Sequence, residues 1–377
     1  MAIRVANLGE GHALDGGIRL PGTASSVGLQ TLHAGDCRTV IDELSAQSID
    51  VVVTSPPYNL NLAYGAYRDT KEEADYLDWL TAISESLARV LKPEGSFFLN
   101  ISGSNSQPWL PFELIIRLRK YFSLQNHITW IKSIGIGADS SGHFKPIPGK
   151  RFMHHNHEHI FHLTLNNAVD LDRLSIGIPF QDKSNIARRG HQRDLRCRGN
   201  TWFLPYSTVR SKTQKFNHPG TFPVELPLWC IYLHGQSDAT VLDPFLGTGT
   251  TLVAAQLAGV RGIGIDIDPE YINTAMRRLE DMADGAVTIN LSRGQMSALL
   301  KQEPVTRADG GFQSLMILLQ NRLNKSTGHI TLTRSELERI ERYASNYKSG
   351  GWQARLCDIF GDLISQGDRE NQLRLTV

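Results

Sequence analysis

Ile49-Asp50-Val51-Val52-Val53-Thr54-Ser55-Pro56-Pro57-Tyr58-Asn59 is the stretch on which the fold turns. Its first six residues form a short apolar, β-branched run, the pattern of a buried strand, and the prolines end it because neither can donate to a ladder. Whatever the prolines expose therefore sits at a strand's carboxyl end. Downstream, Leu77, Leu80, Ile83, Leu87, Val90 and Leu91 recur at helical spacing; Lys92-Pro93-Glu94-Gly95 then reads as a turn and 96–100 as a strand. This α/β rhythm stops near Lys132, where Gly, Pro, His and Arg rise and only 158–164 reads as a strand. It resumes with a strand over 240–245, a helix over 250–257 closed by Gly259, a strand over 261–267 and a helix over 269–280. Asp268 suits the N-cap of that last helix and Pro269 its first turn.

The chain of 377 residues, 41% hydrophobic and 20% charged, has the composition of a globular protein with a core of about 250 residues and added parts. No apolar run approaches the roughly 18 residues of a membrane span. The N-terminus lacks the pattern of a signal peptide, and Cys37, Cys197, Cys230 and Cys357 are too scattered for a zinc pair or a disulfide framework. A reducing cytoplasm is expected. The net charge of +1 excludes little, but its distribution is uneven. Between Lys183 and Lys215 lie Arg188, Arg189, Arg193, Arg196, Arg198, Arg210 and Lys212 against Asp194 alone, a local polyanion-binding signature. His154, His155, His157, His159 and His162 crowd one segment, but no Cys or Asp stands at zinc spacing, so no metal is expected. The expected organisation is an arm over 1–30, a first half-core over 31–132, an insertion over 133–215, a second half-core over 216–284 and a helical region over 285–377, with helices near 312–323, 335–347 and 352–364.

Asp243-Pro244-Phe245-Leu246-Gly247-Thr248-Gly249-Thr250-Thr251 follows a strand and opens a helix, and the next strand ends at Asp266 and Asp268. Glycines in such a turn let a ligand approach the backbone, and a carboxylate at the second strand's end accepts bonds from ribose hydroxyls. The segment has neither the three spaced glycines of a dinucleotide fingerprint nor the Gly-Lys-Ser/Thr of a phosphate loop. It suits an adenosine-containing ligand without phosphates, and Asp243 favours a cationic one.

Together, Ser55-Pro56-Pro57-Tyr58 and the segment from Asp243 to Thr251 resemble the paired catalytic and cofactor motifs of bacterial DNA amino-methyltransferases. With the catalytic motif first and an insertion between the two, the order is that of the permuted beta class. The resemblance extends over roughly 32–280, through Gly35-Asp36-Cys37, 87–95, 157–162, 200–205 and 218–223. It implies a doubly wound, Rossmann-like α/β core that binds S-adenosylmethionine, an inserted recognition region and an appended helical region. Asp36, Asp243, Phe245, Gly247, Thr248, Gly249, Thr250, Asp266, Phe222 and Pro223 fall on the cofactor segments, although Thr221-Phe222 replaces the family's usual Gln-Lys. Ser55, Pro56, Pro57 and Tyr58 fall on the catalytic motif. An exocyclic amino nitrogen is a poor nucleophile because its lone pair is delocalised; the Ser55 side chain and Pro56 carbonyl can accept its protons, and Tyr58 offers a face for an extruded base. Arg188, Arg189, Arg193, Arg196, Arg198, Lys212 and Lys215 would then meet the phosphates of double-stranded DNA.

Ser55 at the first catalytic position is commoner in cytosine-N4 enzymes, yet the beta class acts widely on adenine, so the base stays open. A homodimer, a cognate restriction endonuclease and a cytoplasmic, nucleoid-associated location are compatible with the resemblance. Two rivals stand beside it: an RNA or protein-glutamine methyltransferase, disfavoured by motif order, and a catalytically silent DNA-binding regulator, disfavoured by intact Ser55, Tyr58, Gly247 and Asp266.

Overall fold

The structure, a computed structural model, describes residues 13–14, 18–19, 24–60, 62, 65–136, 139–142, 150–188, 194–205, 221–301, 311–345, 353–361 and 363–364. A nine-stranded sheet forms the centre. Its strands are β1 (Ala24–Val27), β2 (Gln30–Ala34), β3 (Ile49–Thr54), β4 (Leu91–Ile101), β5 (Ser123–Ile131), β6 (His157–Thr164), β7 (Thr201–Phe203), β8 (Thr240–Asp243) and β9 (Arg261–Asp266). They lie in the order β7-β5-β6-β4-β3-β8-β9-β2-β1. From β4 to β2 all neighbours are parallel, while β5, β6 and β1 add antiparallel pairings.

Every residue of β3 is buried, so both faces of the sheet are covered at its centre. Helices α1 (Cys37–Glu43), α2 (Glu73–Val90) and α3 (Leu110–Leu118) bury one apolar cluster with Val52, Phe97, Leu99 and Leu242. Helices α4 (Glu225–His234) and α5 (Thr250–Ala258) pack on each other, and α4 is buried from Leu226 to its end. Helix α6 (Pro269–Ala283) follows β9.

Three segments differ from the sequence reading. Ala24–Val27, placed in the lead-in, hairpins onto β2 through Gly28, whose φ of +58° suits the turn. The expected turn 92–95 lies inside β4: Leu91 opposes Ile49 and Ser96 opposes Val51, so the extra residues form an irregularity within the strand. The insertion expected over 133–215 is divided: β6 and β7 belong to the main sheet, while residues 173–197 group with the C-terminal part.

Contacts divide the chain into two units, one of residues 1–172 with 198–281 and one of 173–197 with 282–377. The second unit buries Leu299, Phe312, Leu315, Met316, Leu319, Ile330, Leu332, Ile340 and Phe360 around its own core. It contains the helices Arg293–Leu299, Gly311–Arg322, Arg334–Ser345 and 353–361, and also an antiparallel pair, Val287–Asn290 with His329–Leu332, so it is not purely helical. Within it, residue 178 bridges to 196, and the Lys325 ammonium donates to the Gly177 carbonyl at 2.9 Å, fastening the inserted segment to the C-terminal part.

His162 of β6 is fully buried, stacked on Phe98 with centroids 4.5 Å apart. The Asn126 amide donates to its Nδ1 at 3.0 Å, so the proton sits on Nε2 and points to Ser96 Oγ at 3.1 Å. Burial pulls its pKa down to about 4, so the folded ring is neutral. The unfolded chain therefore binds the extra proton between about pH 6.5 and about 4, and the native advantage of the neutral ring, present above that window, is lost as pH falls through it. Urea unfolding should show the stability difference between wild type and His162→Gln shrinking by up to about 3 kcal/mol over that range. A pH-independent difference would contradict this reading.

Candidate active site

The sheet reverses its winding between β3 and β8, the place where an open α/β sheet leaves a crevice beyond its strand ends. The end of β3 carries Thr54 and the end of β8 carries Asp243. Thr54 Oγ1 donates to Asp243 Oδ1 at 2.6 Å, the Phe245 amide donates to the same oxygen at 3.0 Å, and Thr251 Oγ1 donates to Oδ2 at 2.6 Å. Asp243 is buried, which pushes its carboxyl up to about 6 even though all three donors favour the anion. With both oxygens engaged inside the protein, Asp243 clasps the two motifs together. The clasp is a structural role for Asp243 beside the cofactor role expected from the sequence.

One strand further, Asp266 Oδ2 accepts from the Gly247 amide at 2.7 Å and Oδ1 from the Asp268 amide at 2.9 Å. Burial lifts the Asp266 carboxyl to about 6, and each oxygen retains a lone pair for a further donor. Gly247 and Gly249 have φ of +53° and +88°, and a Cβ on Gly249 would stand 2.6 Å from Ala275 Cβ, so the turn needs glycine there. Thr248 and Thr250 are buried, with the Arg278 guanidinium 2.5 Å from the Thr248 carbonyl. Phe245 packs edge-on to Trp79 at 5.4 Å, and Trp79 stacks on Tyr67 at 5.5 Å.

The Gly35 amide donates to the Asp266 carbonyl at 2.9 Å, which sets Asp36 beside this end of the sheet. The Asp36 carboxylate caps α1 and pairs with Arg38 at 2.7 Å, and that bond holds its pKa below the ordinary value. Asp36, expected among the cofactor residues, thus already holds a partner within the protein. Phe222 and Pro223 are half-buried and lead into α4. The donor set fits S-adenosylmethionine: a part-buried carboxylate at a strand end for a diol, a glycine turn beside it, and an aromatic wall at Phe245.

The catalytic motif runs into a segment whose backbone is held by side-chain carboxylate and amide groups. Asp69, buried, accepts from the amides of Asn59, Leu60 and Leu62 at 2.8, 2.9 and 3.2 Å. Asn59 holds φ of +57° through paired bonds with the Lys71 backbone at 2.8 Å. The same loop reaches the cofactor strand, where Asp268 Oδ2 accepts from the Ala66 amide at 3.2 Å. Tyr76 Oη donates to the Pro57 carbonyl at 2.6 Å, whereas the Pro56 carbonyl meets no protein donor among the described residues. Ser55 Oγ lies 2.8 Å from Tyr58 Oη, which in turn meets Asn100 Nδ2 at 2.7 Å and Glu158 Oε2 at 2.9 Å.

Sequence reasoning missed Thr54, Asp69, Asn100, Lys132 and Glu158. A carboxylate at the head of the strand pattern of 158–164 was the available signal for Glu158. Of the basic residues, Arg188 and Arg196 are exposed, while Arg189, Arg193, Arg210, Lys212 and Lys215 lie outside the described residues. Lys183 pairs with Asp194 at 2.6 Å. Arg198 departs from the expected phosphate role: its guanidinium lies 4.2 Å over the Trp229 ring, and burial lowers its pKa to about 10. Of the histidines, His159 stacks on Phe161 and meets His127 at 3.0 Å.

Replacing Thr54 by Val keeps the shape but takes one donor from a buried carboxylate. The loss should lower stability at pH 8 by about 1–3 kcal/mol, read as a lower urea midpoint. The deficit should narrow below about pH 6, where Asp243 takes up a proton and needs fewer donors. An unchanged midpoint at pH 8 would count against the clasp.

The DNA methylase family model matches residues 49–277. The type II methyltransferase M.HpaI of Haemophilus parainfluenzae is 30% identical over 261 residues, 69% of this chain and 77% of its own. The DNA adenine methyltransferase YhdJ of Escherichia coli is 29% identical over 264 residues, 67% and 83% of the two chains. Among solved structures, the PvuII DNA methyltransferase (cytosine-N4-specific) aligns with TM-score 0.51 and 19% identity over 67% of this chain and 87% of that one, which supports the fold. The matched span contains both motifs joined by the Thr54 to Asp243 bond, and the chain belongs to the DNA methylase family, as a DNA amino-methyltransferase that uses S-adenosylmethionine.

Proposed function

We propose that Ser55, Pro56, Pro57 and Tyr58 receive the exocyclic amino group of a base turned out of duplex DNA, and that Phe245, Gly247, Thr248, Gly249, Thr250 and Asp266 hold the cofactor beside it. The observation that carries this reading is the 2.6 Å bond from Thr54 to Asp243, which joins the two motifs. When bound, S-adenosylmethionine supplies a methyl carbon on a positively charged sulfur. Ser55 Oγ and the Pro56 carbonyl accept the two amino protons, which draws the nitrogen lone pair out of the ring and toward that carbon. The Pro57 carbonyl is already taken by Tyr76, so the backbone acceptor is Pro56. The Tyr58 ring is the stacking face, and its anchored hydroxyl limits the ring's freedom. Alignment of acceptor and donor, without a covalent enzyme intermediate, carries the rate.

Arg188 and Arg196 are the described candidates for phosphate contacts, with Arg189, Arg193, Lys212 and Lys215 assigned the same role from sequence. Residues 133–215 would supply the reader of the recognised site. The relatives' names as type II methyltransferases support a restriction-modification setting with a cognate endonuclease as partner. Adenine and cytosine both present an amino group beside a ring nitrogen, so the pocket's acceptors do not choose between them.

Tritium transfer from labelled S-adenosylmethionine to duplex DNA, RNA and protein tests the substrate class; DNA alone should be labelled. Label on RNA or protein instead would overturn the reading. Ser55→Ala should lower kcat on the order of 100-fold with cofactor affinity intact. Asp266→Ala should weaken cofactor binding about tenfold or more in calorimetry, the loss of hydrogen bonds to a charged group. If both variants bound and methylated like wild type, these residues would not form the site.

A further inference from the structure

Behind Ser55 lies a chain of polar groups whose directions are fixed from one end. Glu158, on β6, is largely buried and ion-paired with Lys132, whose Nζ donates to Oε1 at 3.0 Å. Asn100 Nδ2 donates to Glu158 Oε2 at 2.8 Å and to Tyr58 Oη at 2.7 Å, which also fixes which way the Asn100 amide faces. A carboxylate only accepts, so the contact between Tyr58 Oη and Glu158 Oε2 at 2.9 Å requires the phenolic proton to point at Glu158. The Asn100 backbone carbonyl, at 3.4 Å, is a weaker and more distant taker of that proton than the carboxylate, and Tyr58 Oη is then an acceptor toward Asn100 Nδ2 and Ser55 Oγ. The Ser55 hydroxyl, 2.8 Å away, must therefore donate to Tyr58. The opposite order, with Tyr58 donating to Ser55, would leave two acceptors facing each other at Glu158 in a part-buried site, with neither able to turn to water.

The geometry points to Glu158 as a positioning residue that acts through Tyr58: it turns the Ser55 proton inward and leaves the Ser55 Oγ lone pairs facing the substrate amino group. This rests on the assignment of Ser55 as an amino-proton acceptor. A serine free to rotate would spend part of its time offering a proton to that amino group, which repels rather than accepts. The same chain gives the released proton a path. As nitrogen bonds the methyl carbon, the electron pair of the broken carbon–sulfur bond stays on sulfur, and nitrogen must shed one proton. Ser55 Oγ takes that proton and passes its own to Tyr58 Oη, which passes its proton to Glu158 Oε2; the N–H bonding pair returns to nitrogen. Glu158 ends protonated beside Lys132 and releases the proton to water before the next turnover. A neutral serine thereby gains the help of a buried carboxylate without placing that charge against the base.

A double-mutant cycle on the full-length enzyme tests this, with single-turnover methylation of duplex DNA at saturating cofactor as the readout. Glu158→Gln keeps the size and removes the charge. Its rate should fall on the order of 100-fold, as for loss of a positioned proton acceptor, while KM for DNA and Kd for S-adenosylmethionine change little. On a Ser55→Ala or a Tyr58→Phe background, Glu158→Gln should cause almost no further loss. A wild-type rate for Glu158→Gln, or full additivity with Ser55→Ala, would overturn the inference and leave Glu158 a structural residue. If Glu158→Gln fails to bind the cofactor or melts early, Glu158→Gln with Lys132→Met, which removes the ammonium left facing the amide, carries the same comparison. Failure of the underlying reading looks different: wild type itself would not methylate DNA.

Discussion

A carboxylate buried at the junction of two parallel strands is the constraint on which the rest depends. Asp243 takes its donors from the end of β3, from the turn after β8 and from the first turn of α5. A buried anion without such partners would cost several kcal/mol, so each of the three segments is stabilised in its place by the carboxylate it satisfies. One of them lies 189 residues earlier in the chain. The clasp thus converts a sheet-centre requirement for charge satisfaction into a functional result, because Ser55 follows Thr54 directly and Phe245 and Gly247 follow Asp243. Catalytic and cofactor segments meet at the reversal of winding because the carboxylate must be satisfied there.

Much of this was legible in the residues. The apolar run ending in two prolines, the glycine turn and the acidic end of the next strand each follow from backbone physics that a single sequence displays. What stayed hidden was long-range. Glu158 looked like one polar residue among histidines, and only the pairing of β6 with β4, opposing Ile160 to Asn100, reveals why it sits near Tyr58. Arg198 read as one more cation in a basic stretch, but the adjacent strand β7 turns it onto Trp229. The irregularity in β4 was unreadable because Lys92-Pro93-Glu94-Gly95 has turn composition, and strand pairing on both sides overrides that local preference.

The inserted segment shows the same limit at a larger scale. Its basic residues carry a clear polyanion signal, yet its sequence gives no sign that 173–197 shares a unit with 282–377. The bond from Lys325 to the Gly177 carbonyl links positions 148 residues apart, and no local pattern encodes such a partner. Composition identifies what a segment can attract; packing decides which body carries it.

The central claim is that the Ser55 pocket opens onto the methyl donor held at the glycine turn. Its most direct test is a crystal structure of the enzyme with sinefungin, in which a carbon bearing an amine replaces the sulfur bearing the transferable methyl, and a duplex bearing the target base. The account requires the base amino nitrogen to lie between Ser55 Oγ and the Pro56 carbonyl, with the sinefungin amine roughly 3–3.5 Å from it, the separation of a near-attack arrangement. A sinefungin amine facing away from Ser55, or a base held elsewhere, would contradict it.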